Sequence, residues 1–173
     1  GDGTFSTTIE SYELEGDGKK EIIAKDDEGK IHVFNDKGSK VTGWPQSTVK
    51  NGHWPYEVGI TDLDGDGQKE ILGTDPNRNL LIYDRKGKLV KKLDMTGQAH
   101  SAPRVEDVDG DGRLDFIYGD QKGNINVIDK EGKSLSGFPY QLNCNHFIYG
   151  TPQLADIDGD GELDVIYTAF DPN

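Results

Sequence analysis

The sequence contains few cysteines, few basic residues and no long apolar run, and each shortage excludes a class of protein. Its one cysteine, Cys144, cannot form an intrachain disulfide, so the cysteine count leaves the redox compartment open. No stretch approaches the roughly 18 apolar residues that a membrane-spanning helix needs. Nor does any segment sustain an apolar period of 3.6 residues, so we expect almost no helix.

Basic residues are outnumbered by acidic ones. The 173 residues include 19 Lys and Arg against 32 Asp and Glu, which gives a net charge of −13. Nucleic acids and anionic membranes bind clusters of Lys and Arg, so neither is an expected partner, whereas metal cations are. A hydrophobic content of only 32% with this charge is also typical of disorder. Because the acids are clustered and apolar runs such as 116–118 recur between the clusters, we expect a folded domain instead.

A repeated acidic loop organises the chain. Three nine-residue segments, 62–70, 107–115 and 156–164, align without gaps on the pattern DxDGDGxxD/E, and a degenerate copy covers 13–21. In chain order, we call 13–21 the first loop, 62–70 the second, 107–115 the third and 156–164 the fourth. Their starts lie 49, 45 and 49 residues apart. After each loop come an apolar run, a polar turn and, in the first three repeats, a second apolar run and a turn that ends in glycine, which are hairpin signals.

Four short strands in each repeat of about 45 residues are typical of a propeller blade. We therefore predict an all-β fold: a partial or fragmentary β-propeller of four-stranded antiparallel blades, with a calcium loop between strands 1 and 2 of each blade. The chain is predicted to be one propeller region, 1–173, with repeats at about 5–50, 54–97, 98–145 and 146–173, the last incomplete. A blade cannot bury both faces alone. We expect further blades or another chain to complete the ring, and closure of a small ring by strand exchange is the less favoured alternative.

The acidic loops have the chemistry of calcium sites. Ca²⁺ binds six to eight oxygens at about 2.3–2.6 Å. Acids at loop positions 1, 3, 5 and 9 supply carboxylates, glycines at positions 4 and 6 permit positive φ, and position 7 offers a backbone carbonyl. About three sites are predicted. Their ligating residues are Asp62, Asp64, Asp66, Gln68, Glu70, Asp107, Asp109, Asp111, Arg113, Asp115, Asp156, Asp158, Asp160, Glu162 and Asp164.

The first loop is a weaker candidate for a fourth site. Two of its acids are the longer glutamates, and Lys19 and Lys20 compete for the carboxylates. Its candidate ligands are Glu13, Glu15, Asp17, Lys19 and Glu21.

An EF-hand is excluded because position 12 is not Glu and the flanks are predicted strands. The alternative for every loop is a solvated acidic turn, which three copies in register make less favoured.

These motifs resemble the FG-GAP/VCBS repeat family, whose calcium-loop blades also form the heads of integrin α-subunits. The DxDGDGxxD/E loops carry the resemblance, together with the Gly-aromatic-Pro elements at 43–45 and 137–139. The Phe-Gly…Gly-Ala-Pro signature of the family is only partly echoed, at 101–103 and 150–152. The resemblance implies calcium ligands at the acids of the second to fourth loops. It also implies an extracellular, cell-surface or periplasmic location and a parent protein with more blades.

Function is expected to be binding or adhesion, with a protein or a carbohydrate as ligand. The links between blades are aromatic, and the candidate ligand face comprises Trp54, Tyr56, His146 and Phe147. The alternative role for such aromatics, favoured for Trp44 and Phe138, is packing between blades. Unequal offsets of the link histidines from the loops argue against a shared zinc site.

An enzyme is not expected, since the acids belong to the metal motif and no Ser-His-Asp order, phosphate-binding loop or HExxH motif is present. Two other functions stay open. One is a non-catalytic or catalytic part of a calcium-dependent polysaccharide lyase or hydrolase, and the other is a structural spacer in a larger protein.

Overall fold

The described part of the chain forms sixteen short strands. A computed structural model describes residues 5, 9–14, 16–48, 57–142, 147–148, 150–161 and 163–170. The first sheet contains β1 (Glu10–Tyr12), β2 (Glu21–Lys25), β3 (Lys30–Phe34) and β4 (Gln46–Ser47). The second contains β5 (Gly59–Thr61), β6 (Glu70–Thr74), β7 (Asn79–Tyr83) and β8 (Leu89–Asp94). The third contains β9 (Arg104–Glu106), β10 (Asp115–Gly119), β11 (Asn124–Ile128) and β12 (Tyr140–Gln141).

Each of these three sheets is a four-stranded antiparallel meander in chain order. The predicted blades are therefore confirmed as four-stranded antiparallel sheets, arranged in the described ranges as an open series and not a closed ring.

The described residues contain no helix, in agreement with the missing 3.6-residue period. Accordingly, none of the described segments is a helix that could cross a membrane. The predicted repeat boundaries stay predictions.

The fourth unit is a hairpin in two parts. Strand β14 (Gln153–Ala155) pairs with β15 (Asp164–Ile166), and β13 (Phe147–Ile148) pairs with β16 (Ala169–Phe170). The two pairs are one interrupted hairpin, since Gln153 lies opposite Ile166 and Ile148 lies opposite Ala169. Four residues, 149–152, separate Ile148 from Gln153, whereas two residues, 167–168, separate Ile166 from Ala169 on the partner strand. The strand that precedes the acidic loop therefore contains two extra residues, as in a bulge.

The same interruption recurs in the first and third sheets. Phe5 bridges Asp26 beyond the β1–β2 ladder, and Ala99 bridges Asp120 beyond the β9–β10 ladder. Pairing thus resumes after the same two-residue excess as in the fourth unit. The two-residue excess therefore recurs in three of the four units, each time before the acidic loop.

The first and second sheets pack face to face through a continuous apolar cluster. Its buried members are Leu14, Ile23, Ile31, Val33, Trp44, Val58, Ile71, Leu81 and Tyr83. The Trp44 ring lies 5.9 Å from the Tyr83 ring, and its Nε1 donates a hydrogen bond to the carbonyl of Arg85 at 3.0 Å. Trp44 is 6% exposed. The packing role favoured for this residue is therefore the one that the structure shows.

A second apolar cluster joins the second and third sheets. Its buried members are Leu72, Leu80, Ile82, Leu93, Met95, Ala99, Phe116, Tyr118 and Ile128. Neighbouring residues of β6 point to opposite sides, with Ile71 in one cluster and Leu72 in the other. Because both faces of this sheet are covered, β6 and β7 are apolar along their length instead of alternating with polar residues.

The outward faces at the two ends of the series lack this cover in the described structure. Ile22 occupies the position of Ile71 in the first sheet and is 41% exposed. Ile166 occupies the position of Leu72 in the fourth unit and is 40% exposed. Both exposures follow from the repeat: each sheet presents one apolar face to each neighbour, so a terminal sheet has one face left over.

A buried lysine lies between the first and second sheets. Lys25 is 0% exposed, and its Nζ donates to the carbonyl of Thr74 at 3.5 Å. Burial lowers the pKa of Lys25 to about 8, although the nearby Asp26 and Asp75 carboxylates act to raise it. Asp26 also contacts His32, whose Nε2 lies 2.7 Å from Asp26 Oδ2. This interface therefore holds a charged group beside its apolar core.

The third sheet and the fourth unit approach most closely at Gly119. A Cβ added to Gly119 would lie 2.1 Å from Ile148 Cγ2 and 2.5 Å from Ile148 Cβ. The backbone N–H of Ile148 donates to the Asp120 carbonyl at 3.3 Å, which holds the two units at this spacing. Glycine is therefore needed at 119 for the fourth unit to dock.

Replacement of Gly119 by Ala should destabilise the fold, because the new methyl group overlaps Ile148 and overpacking costs about 1–3 kcal/mol. Thermal unfolding followed by circular dichroism measures the effect. Gly59→Ala is the matched control, since its Cβ would meet Leu72 and Ala102 at ordinary distances of 3.4 and 3.5 Å. Equal melting temperatures for the two variants would contradict the close approach.

Truncation of Trp44 should cost far more stability than truncation of Phe138, the equivalent aromatic in the third repeat. Trp44 is buried against the second sheet, whereas Phe138 is only half-buried. We expect Trp44→Ala to cost about 3–5 kcal/mol of unfolding free energy, and Phe138→Ala to cost less than half as much. Urea unfolding of both variants checks this, and similar costs would show that the two elements pack alike.

Candidate metal centres

Each acidic loop connects the first and second strands of its sheet. The second loop runs from the end of β5 to the start of β6, and the other three lie at equivalent places. The glycines at positions 4 and 6 have positive φ, for example 77° at Gly65 and 84° at Gly67. The predicted backbone geometry is therefore present, and a side chain at either position would be strained.

Backbone N–H groups fix the carboxylates inside each loop. Asp62 accepts hydrogen bonds from Gly65 at 2.7 Å and Gly67 at 2.9 Å. Asp156 accepts the corresponding pair from Gly159 at 2.7 Å and Gly161 at 3.0 Å. These bonds satisfy local donors and also set the direction in which the carboxylates point.

The acid at position 9 ties the end of the loop back to its start. Glu70 Oε2 accepts a hydrogen bond from the Leu63 N–H at 2.9 Å. Asp115 and Asp164 make the equivalent bonds to Val108 at 3.1 Å and Ile157 at 3.0 Å. Each carboxylate keeps its second oxygen for another contact.

Carboxylate oxygens converge in the second, third and fourth loops. In each of the three loops, one oxygen from each of three acids lies within 4.8 Å of the others. The three groups are Asp62, Asp64 and Asp66, then Asp107, Asp109 and Asp115, then Asp156, Asp158 and Asp164. Such groups could each hold a metal ion, and their oxygen-only donor set suits a hard divalent cation.

The third loop carries an independent sign of a missing positive partner. Asp107 Oδ1 is buried and has no hydrogen-bond partner among the described residues. Such an oxygen is unfavourable unless a cation or a donor reaches it. Burial, and then the charges of Asp109, Asp111 and Asp107, raise the pKa of Asp115 above its usual value. The residues present therefore fit a cation.

In the second loop, burial and neighbouring acids likewise raise the pKa of the position-9 carboxyl group. Burial raises the pKa of Glu70, and Asp64, Asp66 and Asp62 add to the shift by repulsion. The side chain of Gln68 at position 7 instead donates to Asp66 Oδ2 at 3.0 Å and accepts from Arg85 Nε at 2.6 Å. Since that side chain is already engaged, Gln68 would serve a metal only through its predicted backbone carbonyl.

A lysine lies beside one carboxylate of the first loop. Lys19 Nζ lies 3.8 Å from Asp17 of that loop and 3.4 Å from Asp36, in the turn after β3. Glu21 retains the position-9 bond, to the Leu14 N–H at 2.8 Å, and Glu13 accepts from Gly16. Among the described residues, no group of three converging acids occurs in this loop. The predicted competition by Lys19 has a structural basis.

Several predicted site residues lie outside the described residues: Glu15, Glu162, Trp54, Tyr56 and His146. Phe147 is described; it is half-buried in β13 and pairs with Phe170 across the fourth hairpin. The aromatic ligand face therefore stays a prediction.

Sequence reasoning missed a second set of aspartates, Asp26, Asp75 and Asp120, which recur thirteen residues after the start of each of the first three loops. All three are buried and cap the turn between the second and third strands. Asp75, for example, accepts from the Asn79 N–H at 2.9 Å. Their constant offset in the repeat is a signal that could have found them.

Comparison with solved structures supports the fold over nearly the whole chain. The V. cholerae biofilm matrix protein Bap1 aligns with a TM-score of 0.69 and 20% identity, over 95% of this chain and 28% of that one. The C-terminal domain of Pseudomonas aeruginosa PilY1 aligns with a TM-score of 0.65 and 16% identity, over 95% and 43%. BamB from Moraxella catarrhalis aligns with a TM-score of 0.58 and 14% identity, over 96% and 44%.

These similarities show a shared β-rich, propeller-like fold, and the chain spans less than half the length of each of the three solved chains. No curated protein sequence matches this chain significantly. A family model described as an FG-GAP-like repeat matches residues 107–167, which include the third and fourth loops. The resemblance carried by the acidic loops is thereby confirmed for the part of the chain that contains the third and fourth loops.

Proposed function

We propose that this chain is a calcium-stabilised binding or adhesion module of a larger extracellular protein, and that it is not itself an enzyme. The observation that carries the proposal is the convergence of three acids in each of three successive loops, to within 4.8 Å. The buried, unpartnered oxygen of Asp107 supports a cation there.

The proposed ligands are the loop acids of the second to fourth loops, with the backbone carbonyl at position 7 as a further oxygen. Calcium would neutralise carboxylates that otherwise repel one another and would fix each turn between its first and second strands. Three divalent ions would offset nearly half of the net charge of −13. At a concentration one hundred times its Kd, each ion would stabilise the folded state by roughly 2.7 kcal/mol.

The extracellular and adhesive part of the proposal rests on the repeat and on one structural neighbour. The FG-GAP-like match and the likeness to a biofilm matrix protein both favour a module that works outside the cell. A non-catalytic role is favoured because the position-9 acids Glu70 and Asp115 are held by loop N–H groups beside the other loop acids, an arrangement suited to holding a cation.

Calcium titration of chelator-stripped protein should give a stoichiometry of three and a raised melting temperature. Asp109→Ala removes one of the three converging carboxylates of the third loop without leaving a side-chain oxygen in its place, so we expect it to reduce the stoichiometry to two. Isothermal titration calorimetry measures the number of sites. Asp94→Ala, which replaces an exposed acid at the end of β8, is the control and should keep all three sites. Absence of binding at millimolar calcium would overturn the proposal and leave the sheets unaffected.

A fourth site should appear when the internal cation of the first loop is removed. Lys19→Gln places at position 7 the residue that the second loop has there, and it abolishes the contacts with Asp17 and Asp36. We expect one additional, weaker calcium site in the same titration. Lys20→Gln changes the adjacent exposed lysine and serves as the matched control. A stoichiometry of four in the unmodified protein would show that Lys19 does not block the loop.

A further inference from the structure

The first strands of all four units surround a cavity of about 560 Å³. This volume lies within the roughly 300–1,000 Å³ that is usual for small-molecule sites. The polar residues of its wall come from each unit in turn: Glu10 and Tyr12, Glu57 and Thr61, Arg104, and Thr151 and Gln153. The cavity is separate from the acidic loops, whose acids do not line it.

A hydrogen bond links the second unit to the fourth across one side of this cavity. The hydroxyl of Thr151 donates to Glu57 Oε2, although the two residues are 94 positions apart. Both lie five residues before their acidic loops, and the equivalent residue of the third repeat is the small, buried Ala102. The arrangement positions a carboxylate at the cavity wall.

The wall offers both hydrogen-bond donors and acceptors. Glu10 and Glu57 provide carboxylate oxygens, and Gln153 provides both kinds of group. Arg104 lies 3.9 Å from Glu106, with 47% of its side chain exposed. A guanidinium has five N–H donors in a fork, so one contact with Glu106 does not use all of them. Tyr12, 36% exposed, adds an aromatic face.

We propose that this cavity binds a neutral sugar unit. Two carboxylates against one guanidinium disfavour an anion, and the polar wall disfavours a purely apolar ligand. Sugar hydroxyls donate and accept at once, which matches a wall that carries both carboxylates and a guanidinium, and the apolar face of a sugar ring packs on an aromatic such as Tyr12. The inference rests on the proposed binding function and gives it a location and a ligand class, but it does not depend on calcium occupancy.

Saturation-transfer NMR and calorimetry on the full chain in calcium buffer test the proposal, with the methyl glycosides of glucose, galactose and mannose as probes. At least one should bind. Arg104→Ala and Glu57→Gln should each weaken that binding by about tenfold or more, because each removes a charged hydrogen-bonding group from the wall. Lys37→Ala and Glu131→Gln, exposed residues outside the cavity, are the matched controls and should bind as the unmodified protein does.

Three results would overturn the sugar assignment. The first is that no glycoside binds although calcium raises the melting temperature, which would leave the metal proposal standing and the cavity without a sugar. The second is binding that Arg104→Ala and Glu57→Gln leave unchanged. The third is preferential binding of lysine methyl ester, which would show that the carboxylates select a cation. Sugar binding that depends on the two residues, in a protein that binds no calcium, would support this inference and contradict only the calcium proposal.

Discussion

Face-to-face packing of neighbouring sheets is the interaction on which the rest of this structure depends. A four-stranded sheet with two apolar faces is not stable alone in water, because each face exposes a surface that only another sheet can cover. The second sheet meets this condition on both sides, through Ile71 and Leu72 on neighbouring positions of one strand. The order of sheets in space therefore follows the order of repeats in the chain.

The acidic loops add an opposing electrostatic requirement at one end of each sheet. Their backbone N–H groups direct carboxylates inward, and the strands on either side hold the loop in that shape. Glu70 illustrates the connection, since it begins β6 and also closes the second loop on the Leu63 N–H. Packing thus assembles the negative charges, and burial together with the neighbouring acids raises the pKa of Glu70.

Much of this could be predicted from the sequence because it repeats. The period of the acidic loops located the sheets, the glycine positions predicted the turn geometry, and the Gly-aromatic-Pro element marked Trp44 as a packing residue. These features are local to one repeat, so a pattern of residue types is enough to identify them.

Two other features that were missed depend on contacts between repeats. Nothing in the residues around Lys25 shows that its ammonium group becomes buried against Thr74, 49 positions away. The hydrogen bond between Thr151 and Glu57 requires the second and fourth units to be brought together. A contact between the second and fourth units, which are not neighbours in the series, leaves no periodic signal in the sequence.

The position held by Lys25 has a consequence for how such chains can change. In the second and third repeats that position is Thr74 and Gly119, so a different residue occupies it in each of the three repeats. A lysine at 119 would collide with Ile148, and a glycine at 25 would leave a void where an ammonium group now bonds to the next sheet. The repeats are alike in outline but are not interchangeable parts. Shuffling or duplicating them would have to be accompanied by coordinated substitutions on both sides of each new junction.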